Sequence, residues 1–304
     1  MVTGTFDLPQ KGFSEMRVAV IRPSEKSPGE RVAFHLAQNE SARDSSVTYV
    51  DCRSPVDPEN PGQFITDSRV ARQNVVTIDT INCLVCGECT EVCPTGALER
   101  GEDRILIHSD RCVACNCCVG VCPTDALSRS SVRTGQIHLG NAGDLRVITG
   151  SLDSGESDFP ALIRTMKRIA ASGLVIFDAQ PGLSATTAET IKNLDGVVIV
   201  TGCETTERDA CLLLLRAVCR LQLPAGVVLV GGSSEPPWTD EITDAGGVIL
   251  THIPETVVSG LDNQYSDNAG HNNYLSHTVE AIRSQLHPAK PQRRRSWLGE
   301  LFSR

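Results

Sequence analysis

The sequence predicts an α/β protein: a doubly wound, mostly parallel sheet interrupted by a small inserted α+β domain. Three observations carry that expectation. Runs of Val, Ile and Leu recur between helical patterns, as in Met16-Arg-Val-Ala-Val-Ile21, Gly196-Val-Val-Ile-Val-Thr201 and Ala225-Gly-Val-Val-Leu-Val230. Strands this uniformly apolar are buried on both faces, as in parallel sheets covered by helices. The pattern stops near residue 67 and resumes near residue 131. Between those points lie most of the chain's 13 cysteines.

Taken in order, residues 1–15 read as a loose leader. Met16–Ile21 is a buried strand that ends in a Pro/Ser/Gly-rich turn, and Glu30–Gln38 has apolar residues at 32, 33, 36 and 37, a helical spacing. Val47–Asp51 is a second strand, so the start is a βαβ unit with parallel strands. Residues 74–130 form a cysteine module with short flanking strands at Val75–Ile78 and Ile105–Ile107. The alternation then returns. Leu145–Thr149, Gly173–Asp178, Gly196–Thr201, Ala225–Val230 and Gly247–Thr251 read as strands, and Phe159–Ala171, Ala188–Leu194 and Glu204–Gln222 as helices. The expected domains are a discontinuous frame at 16–66 and 131–262, an insertion at 67–130, and a C-terminal helix, linker and tail at 263–304. Exposed loops accept such insertions when the inserted ends lie close together.

The cysteines repeat. The first half reads Cys83-Leu-Val-Cys86-Gly-Glu-Cys89-Thr-Glu-Val-Cys93-Pro94. The second reads Cys112-Val-Ala-Cys115-Asn-Cys117-Cys118-Val-Gly-Val-Cys122-Pro123. Each is a C-x2-C-x2-C-x3-C-P run, in which three close thiolates grip one iron–sulfur cubane and the fourth reaches across to the other. That rule assigns Cys83, Cys86, Cys89 and Cys122 to one [4Fe–4S] cluster, and Cys112, Cys115, Cys118 and Cys93 to a second. Zinc would leave the third and fourth cysteine of each half idle, and the spacing fits no disulfide pattern. Cys117 is surplus; a bystander beside Cys118 is the simpler reading, and a register swap is the alternative. The stretch resembles the two-[4Fe–4S] ferredoxin family. Such a module is too small to fold on hydrophobic burial alone, so its folding is expected to depend on metal.

The frame resembles the MinD/ParA branch of P-loop ATPases, in the form that carries an inserted two-cluster ferredoxin. The landmarks are Met16–Ile21, Val32-Ala-Phe-His-Leu-Ala37, Val47–Asp51, Gly150-Ser-Leu-Asp-Ser-Gly155, Phe177-Asp-Ala-Gln-Pro-Gly182 and Val200-Thr-Gly-Cys-Glu204. The resemblance implies that Asp51 and Asp178 stand where acidic residues approach Mg2+ and phosphates. It puts the phosphate loop between Ile21 and Val32, where this chain has Arg22-Pro-Ser-Glu-Lys-Ser-Pro-Gly-Glu-Arg31. Aligned on Val32, the family's Lys falls at Gly29 and its Ser/Thr at Glu30. Pro23 and Pro28 each lack an N–H donor, Glu25 and Glu30 place negative charge where phosphate would sit, and Lys26 and Arg31 are the only cations after Pro23. The expectation is a degenerate site that takes no ATP or Mg2+, on a frame kept as a scaffold and dimerisation surface.

The tail Arg293-Arg294-Arg295-Ser296-Trp297-Leu298-Gly-Glu-Leu301-Phe302 puts Trp297, Leu298, Leu301 and Phe302 on one helical face behind three arginines. That suits an anionic membrane surface and resembles the C-terminal targeting helix of MinD proteins. A partner's groove or a disordered basic tail are the other readings.

A net charge of −9 and 4% aromatic residues argue against a nucleic-acid partner. The N-terminus has no secretory pattern and no apolar run is long enough to span a bilayer, so the expected location is the cytoplasm, with peripheral membrane contact through the tail. The seven histidines are scattered and no nucleophile constellation appears. The expected function is therefore electron transfer between an oxidoreductase or other redox proteins. A nucleotide-dependent maturation factor for a metalloenzyme, or a subunit that tethers a redox complex to the membrane, are the alternatives.

Overall fold

The computed structural model describes residues 16–29, 31–43, 46–57, 62–109, 111–112, 115–155, 159–170, 173–232, 236–254, 257, 278, 281–282 and 284. The leader, Glu30 and the tail from Arg293 to Arg304 lie outside the described residues. In chain order the elements are β1 (Met16–Ile21), α1 (Val32–Ser41), β2 (Val47–Cys52), β3 (Ile65–Ile78), α2 (Glu88–Glu91), β4 (Leu98–Arg100), β5 (Ile105–Ile107), α3 (Cys117–Val121), β6 (Leu127–Ala142), β7 (Leu145–Leu152), α4 (Phe159–Ile169), β8 (Leu174–Ala179), α5 (Ala185–Ile191), β9 (Gly196–Gly202), α6 (Thr205–Arg220), β10 (Ala225–Val230), α7 (Thr239–Asp244) and β11 (Val248–Ile253).

The chain divides into two compact units. The first takes residues 1–53, 142–146 and 171–304. Its strands run in the order β11-β10-β9-β1-β8-β2, and neighbours are parallel throughout. β1 lies between β8 and β9, with Val18 opposite Ile176 on one side and Gly196 on the other. Every residue of β8, β9 and β10 is buried. Their unbroken Val/Ile/Leu character therefore reflects burial on both faces. The helix α6 buries Cys211, Leu212, Leu214, Leu215 and Val218, while Cys219 on the same helix is half-buried.

The second unit takes residues 54–141 and 147–170. Its strands run β7-β6-β3. Here β3 and β6 pair antiparallel from Ile65↔Gly140 to Ile78↔Leu127, forming a stem whose far end carries the cysteines. The sequence points to a strand before the cysteines only over Val75–Ile78 and to none over the stretch Leu127–Ala142 that forms β6. Exposed polar residues such as Arg69 and Arg72, and the buried Gln73, hide this stem from any alternation count, because the ladder is a backbone pairing that tolerates polar side chains. The amphipathic α4 buries Phe159, Leu162, Ile163 and Met166 within this unit. A short hairpin of β4 and β5 closes the module.

One buried histidine ties the stem together. His138 on β6 bonds through Nδ1 to the Ser68 hydroxyl at 2.7 Å and through Nε2 to the Ser151 hydroxyl at 2.8 Å. Its burial holds the imidazole below its ordinary pKa. The unfolded chain then binds the extra proton first, so stability is present above about pH 6.5 and is lost as pH falls below it. The urea midpoint of the wild type should drop between pH 7 and pH 5. His138→Gln should be less stable at pH 7 by about 1–3 kcal/mol, with a shallower acid dependence.

Candidate metal centres and the loop after the first strand

The module builds each cysteine cage from the same local turns. Gly87 and Asn116 adopt left-handed backbone angles, φ 92° and 67°, just before α2 and α3. That reversal lets the following amides bond back, Thr90 N–H to the Gly87 carbonyl at 2.9 Å and Val119 N–H to the Asn116 carbonyl at 3.1 Å. It also carries Cys89 and Cys118, the second residues of these helices, into the interior, where both are buried. Glycine and asparagine are the residues that reach this region most cheaply.

The fourth cysteine of each run begins a second turn. In Cys93-Pro-Thr-Gly-Ala-Leu98 and Cys122-Pro-Thr-Asp-Ala-Leu127, Gly96 and Asp125 take φ 62° and 52°, and their amides bond the Cys93 and Cys122 carbonyls, both at 3.3 Å. The chain then folds over the sulfur. Ala97 N–H donates to Cys93 Sγ at 3.2 Å. Burial opposes ionisation of Cys93, but the Thr95, Ala97 and Leu98 amides and the Thr95 hydroxyl outweigh it and lower its pKa. At Cys122 burial is outweighed in the same way by the Thr124, Leu127 and Ala126 amides. Amide donors of this kind favour thiolate over thiol.

The eight cysteines surround two cavities. One, with about 310 Å3 of empty volume, is lined by Cys83, Cys86, Cys89 and Cys122, with Ile78, Leu84, Ile105 and Leu127. The other, about 350 Å3, is lined by Cys93, Cys112, Cys115 and Cys118, with Val76, Leu98 and Ile107. Each therefore receives three cysteines from one run and the pre-proline cysteine of the other. Cys117 does not line either cavity; it is exposed and hydrogen-bonds to Cys115.

The donor set tests what could fill these cavities. Among the described residues no three His, Cys, Asp or Glu side chains could hold a single metal ion. A zinc ion would need its sulfurs within about 2.3 Å of one point. Four sulfurs spread around an apolar-walled space fit a polynuclear iron–sulfur group instead. Asn116 adds to the fit: its side-chain oxygen is buried beside the second cavity with no partner. Because amide oxygen and nitrogen are interchangeable by a flip, the group can present its NH2 to a sulfur there.

In the first unit, the loop between β1 and α1 is occupied by its own side chains. Arg22 donates to the Ser27 carbonyl at 2.9 Å and the Glu25 carbonyl at 3.2 Å. Ser24 N–H donates to the Ser27 hydroxyl at 3.0 Å, and Ser27 N–H to the Ser24 carbonyl at 3.2 Å. The Ser27 hydroxyl in turn donates to the Glu207 carboxylate, which comes from the first turn of α6. Gly29 has φ 84°, and a Cβ there would lie 2.7 Å from Val200 Cγ1. Lys26 is exposed, and no described bond joins it to Asp51 or Asp178.

Asp51 and Asp178 do meet, through Arg53. The Arg53 guanidinium donates to Asp51 Oδ2 at 2.8 Å and lies 3.3 Å from Asp178 Oδ2. Tyr49 OH donates to Asp178 Oδ2 at 2.7 Å. Arg53, Tyr49, Arg22 and Glu207 were not expected from the sequence. Only Arg53 left a local trace there, an arginine two residues beyond a strand-end aspartate. Burial pushes the Asp178 carboxyl up to about 7, with Arg53 pulling it down and Asp51 pushing it up.

Comparison with known proteins separates the two parts. Residues 75–123 match the family model described as a 4Fe-4S dicluster domain. The whole chain resembles the cell division ATPase MinD of Pyrococcus furiosus, with TM-score 0.51 and 13% identity, covering 89% of this chain and 99% of that one. The septum site-determining protein MinD of Pyrococcus horikoshii, complexed with Mg-ADP, gives TM-score 0.51 and 12% identity over 88% and 95%. McdA of Cyanothece, in its ATP complex, gives TM-score 0.50 and 12% identity over 89% and 97%. At such identities the likeness is one of fold: the chain has the mostly parallel MinD/ParA-type α/β fold, with an iron–sulfur dicluster domain at 75–123. No curated protein matches it in sequence.

Asp178 gives a signed prediction. Its folded pKa lies above the unfolded value of 3.8, so its contribution is full below about pH 4 and is lost as pH rises through about 7. Relative to Asp178→Asn, the wild type should lose up to about 1.4 kcal/mol of stability per pH unit across that window, read from urea midpoints.

Proposed function

We propose that the chain is an electron-transfer protein that holds two [4Fe–4S] clusters and passes single electrons between protein partners. The observation that carries this reading is the pairing of two four-cysteine cavities that share their chain segments. Cys83, Cys86, Cys89 and Cys122 would hold one cluster, and Cys112, Cys115, Cys118 and Cys93 the other. When bound, such clusters supply reversible one-electron chemistry. The chain's own part is to exclude water with Ile78, Leu84, Leu98, Ile105 and Leu127, and to stabilise the cysteine thiolates with the amides after Pro94 and Pro123.

The crossed ligand sets are open to test. Cys93→Ala should cut bound iron by about half, and the loss should be traceable to the ring of Cys112, Cys115 and Cys118. An EPR spectrum of the reduced variant should keep one cluster's signal and lose the coupling between two. Loss of the signal tied to Cys83, Cys86 and Cys89 instead would reverse the assignment.

On this reading the frame is a nucleotide-incompetent scaffold. In support, the Ser24 and Ser27 amides, the kind of donor that cradles phosphate, are already taken, and Glu207 puts a carboxylate against the loop. Gly29 sits where a lysine would be strained by φ 84° and by Val200. Calorimetric titration of the cluster-loaded protein with Mg-ATP should give no heat of binding at up to millimolar ligand. Micromolar binding would favour the maturation-factor reading instead. The titration should remain silent in Gly29→Lys, which restores the charge but not the space.

A further inference from the structure

The two cages follow one plan, yet the chain finishes their surfaces differently. Ile81, two residues before the first cage, is 91% exposed, and Leu84, inside the first run, is 68% exposed. Large aliphatic side chains so open to water are uncommon when they sit together. Nor is Ile81 there by looseness. Asp79 Oδ1 accepts from Ile81 N–H at 2.9 Å and its Oδ2 accepts from Asn82 Nδ2 at 2.8 Å, a closed turn that fixes the residue outward.

Of the two, Leu84 lies at the cavity of Cys83, Cys86, Cys89 and Cys122, and Ile81 stands three residues before it. Leu84 both lines that cavity and faces solvent, as do Cys86 and Glu88. The exposed flanking charges include two carboxylates, Asp79 and Glu88, and one cation, Arg100, whose side chain packs against Gly87. The internal repeat supplies a comparison within the molecule. At the positions matching Asp79, Ile81, Asn82 and Glu88, the second half has His108, Asp110, Arg111 and Cys117. Holding a cage therefore does not require an isoleucine at this position or the Asp79 and Glu88 pair, which only the first half has.

We propose that the surface of Ile81 and Leu84, flanked by Asp79 and Glu88, is the docking face for a redox protein that presents an apolar patch ringed by Lys or Arg. The proposal rests on the electron-transfer reading. Electron-transfer complexes are small and transient, so one or two apolar anchors with complementary charge suffice to orient them. Covering Leu84 would remove water from one exposed wall of this cavity. A second copy of this chain would set acid against acid across the same face, and an anionic lipid surface would meet the same repulsion. One electron crosses per encounter. The donor is oxidised by one, the acceptor reduced by one, and no bond or proton moves.

The test uses the full chain, loaded with iron and reduced anaerobically with dithionite that is then removed. The probe is ferric cytochrome c, a lysine-ringed haem protein, mixed in a stopped-flow instrument and followed at the haem bands. A neutral benzoquinone serves as a small acceptor that needs no docking. Ile81→Arg should slow haem reduction about tenfold while leaving the quinone rate unchanged, and Ile81→Leu should retain the wild-type rate. Glu88→Gln should flatten the dependence of the haem rate on salt. Val70→Arg, the same charge change at an exposed residue of the stem, should change the haem rate less than twofold.

Equal haem rates for wild type and Ile81→Arg, in protein with full iron, overturn the docking face. So does equal slowing by Val70→Arg, which would reduce the effect to net charge. A wild type without iron would instead remove the electron-transfer reading itself, and the docking face with it. Iron analysis and the visible absorption of the clusters tell that failure from the others.

Discussion

Thiolates crowded around one small space repel each other, and this constraint organises the second unit. Burial pushes the Cys89 thiol up, and the neighbouring Cys86, Cys83 and Cys122 push it further. The polypeptide alone offers little to offset that. The buried cluster of the module is Val76, Cys89, Leu98, Ile105, Cys118 and Leu127, and much of what packs around it is further cysteine. So few aliphatic side chains cannot hold a fold of this size. A bound metal group would convert the repulsion into attraction and supply the missing core. The left-handed turns at Gly87, Gly96, Asn116 and Asp125, and the amides over Cys93 and Cys122, are then features that prepare the sulfurs for positive charge.

The first unit illustrates the opposite relation between fold and site. Its parallel strands hold the MinD/ParA-type fold through Val and Ile side chains buried on both faces, and that burial asks nothing of the loop after β1. The loop is free to fill itself. Arg22 spans its carbonyls, Ser27 joins it to Glu207, and Arg53 neutralises Asp51 beside a buried Asp178. A fold can persist in this way while the chemistry at its edge changes, which is why the fold is a poor guide to the activity.

What could be read in the sequence was what depends on local spacing. The intervals within Cys83–Cys93 and Cys112–Cys122 specify which cysteines can share a group, and the apolar strands of the frame declare their burial by composition. What could not be read depends on partners far along the chain. The stem of β3 and β6 is held by a backbone ladder and by His138 between Ser68 and Ser151, none of which leaves an alternating pattern. Glu207 meets Ser27 across 180 positions, and Tyr49 meets Asp178 across 129. The spacing already favours Cys118 over Cys117, and at the helix start Cys118 is buried while Cys117 is exposed.

The central claim is that each cavity holds a four-iron cluster. Iron and acid-labile sulfide, measured per chain on protein purified without oxygen, test it most directly. Two four-iron clusters give about eight of each, with a broad visible absorption that dithionite bleaches and a mild oxidant restores. About four irons would leave one cavity without its cluster. Zinc in place of iron, with no bleaching, would contradict the account outright.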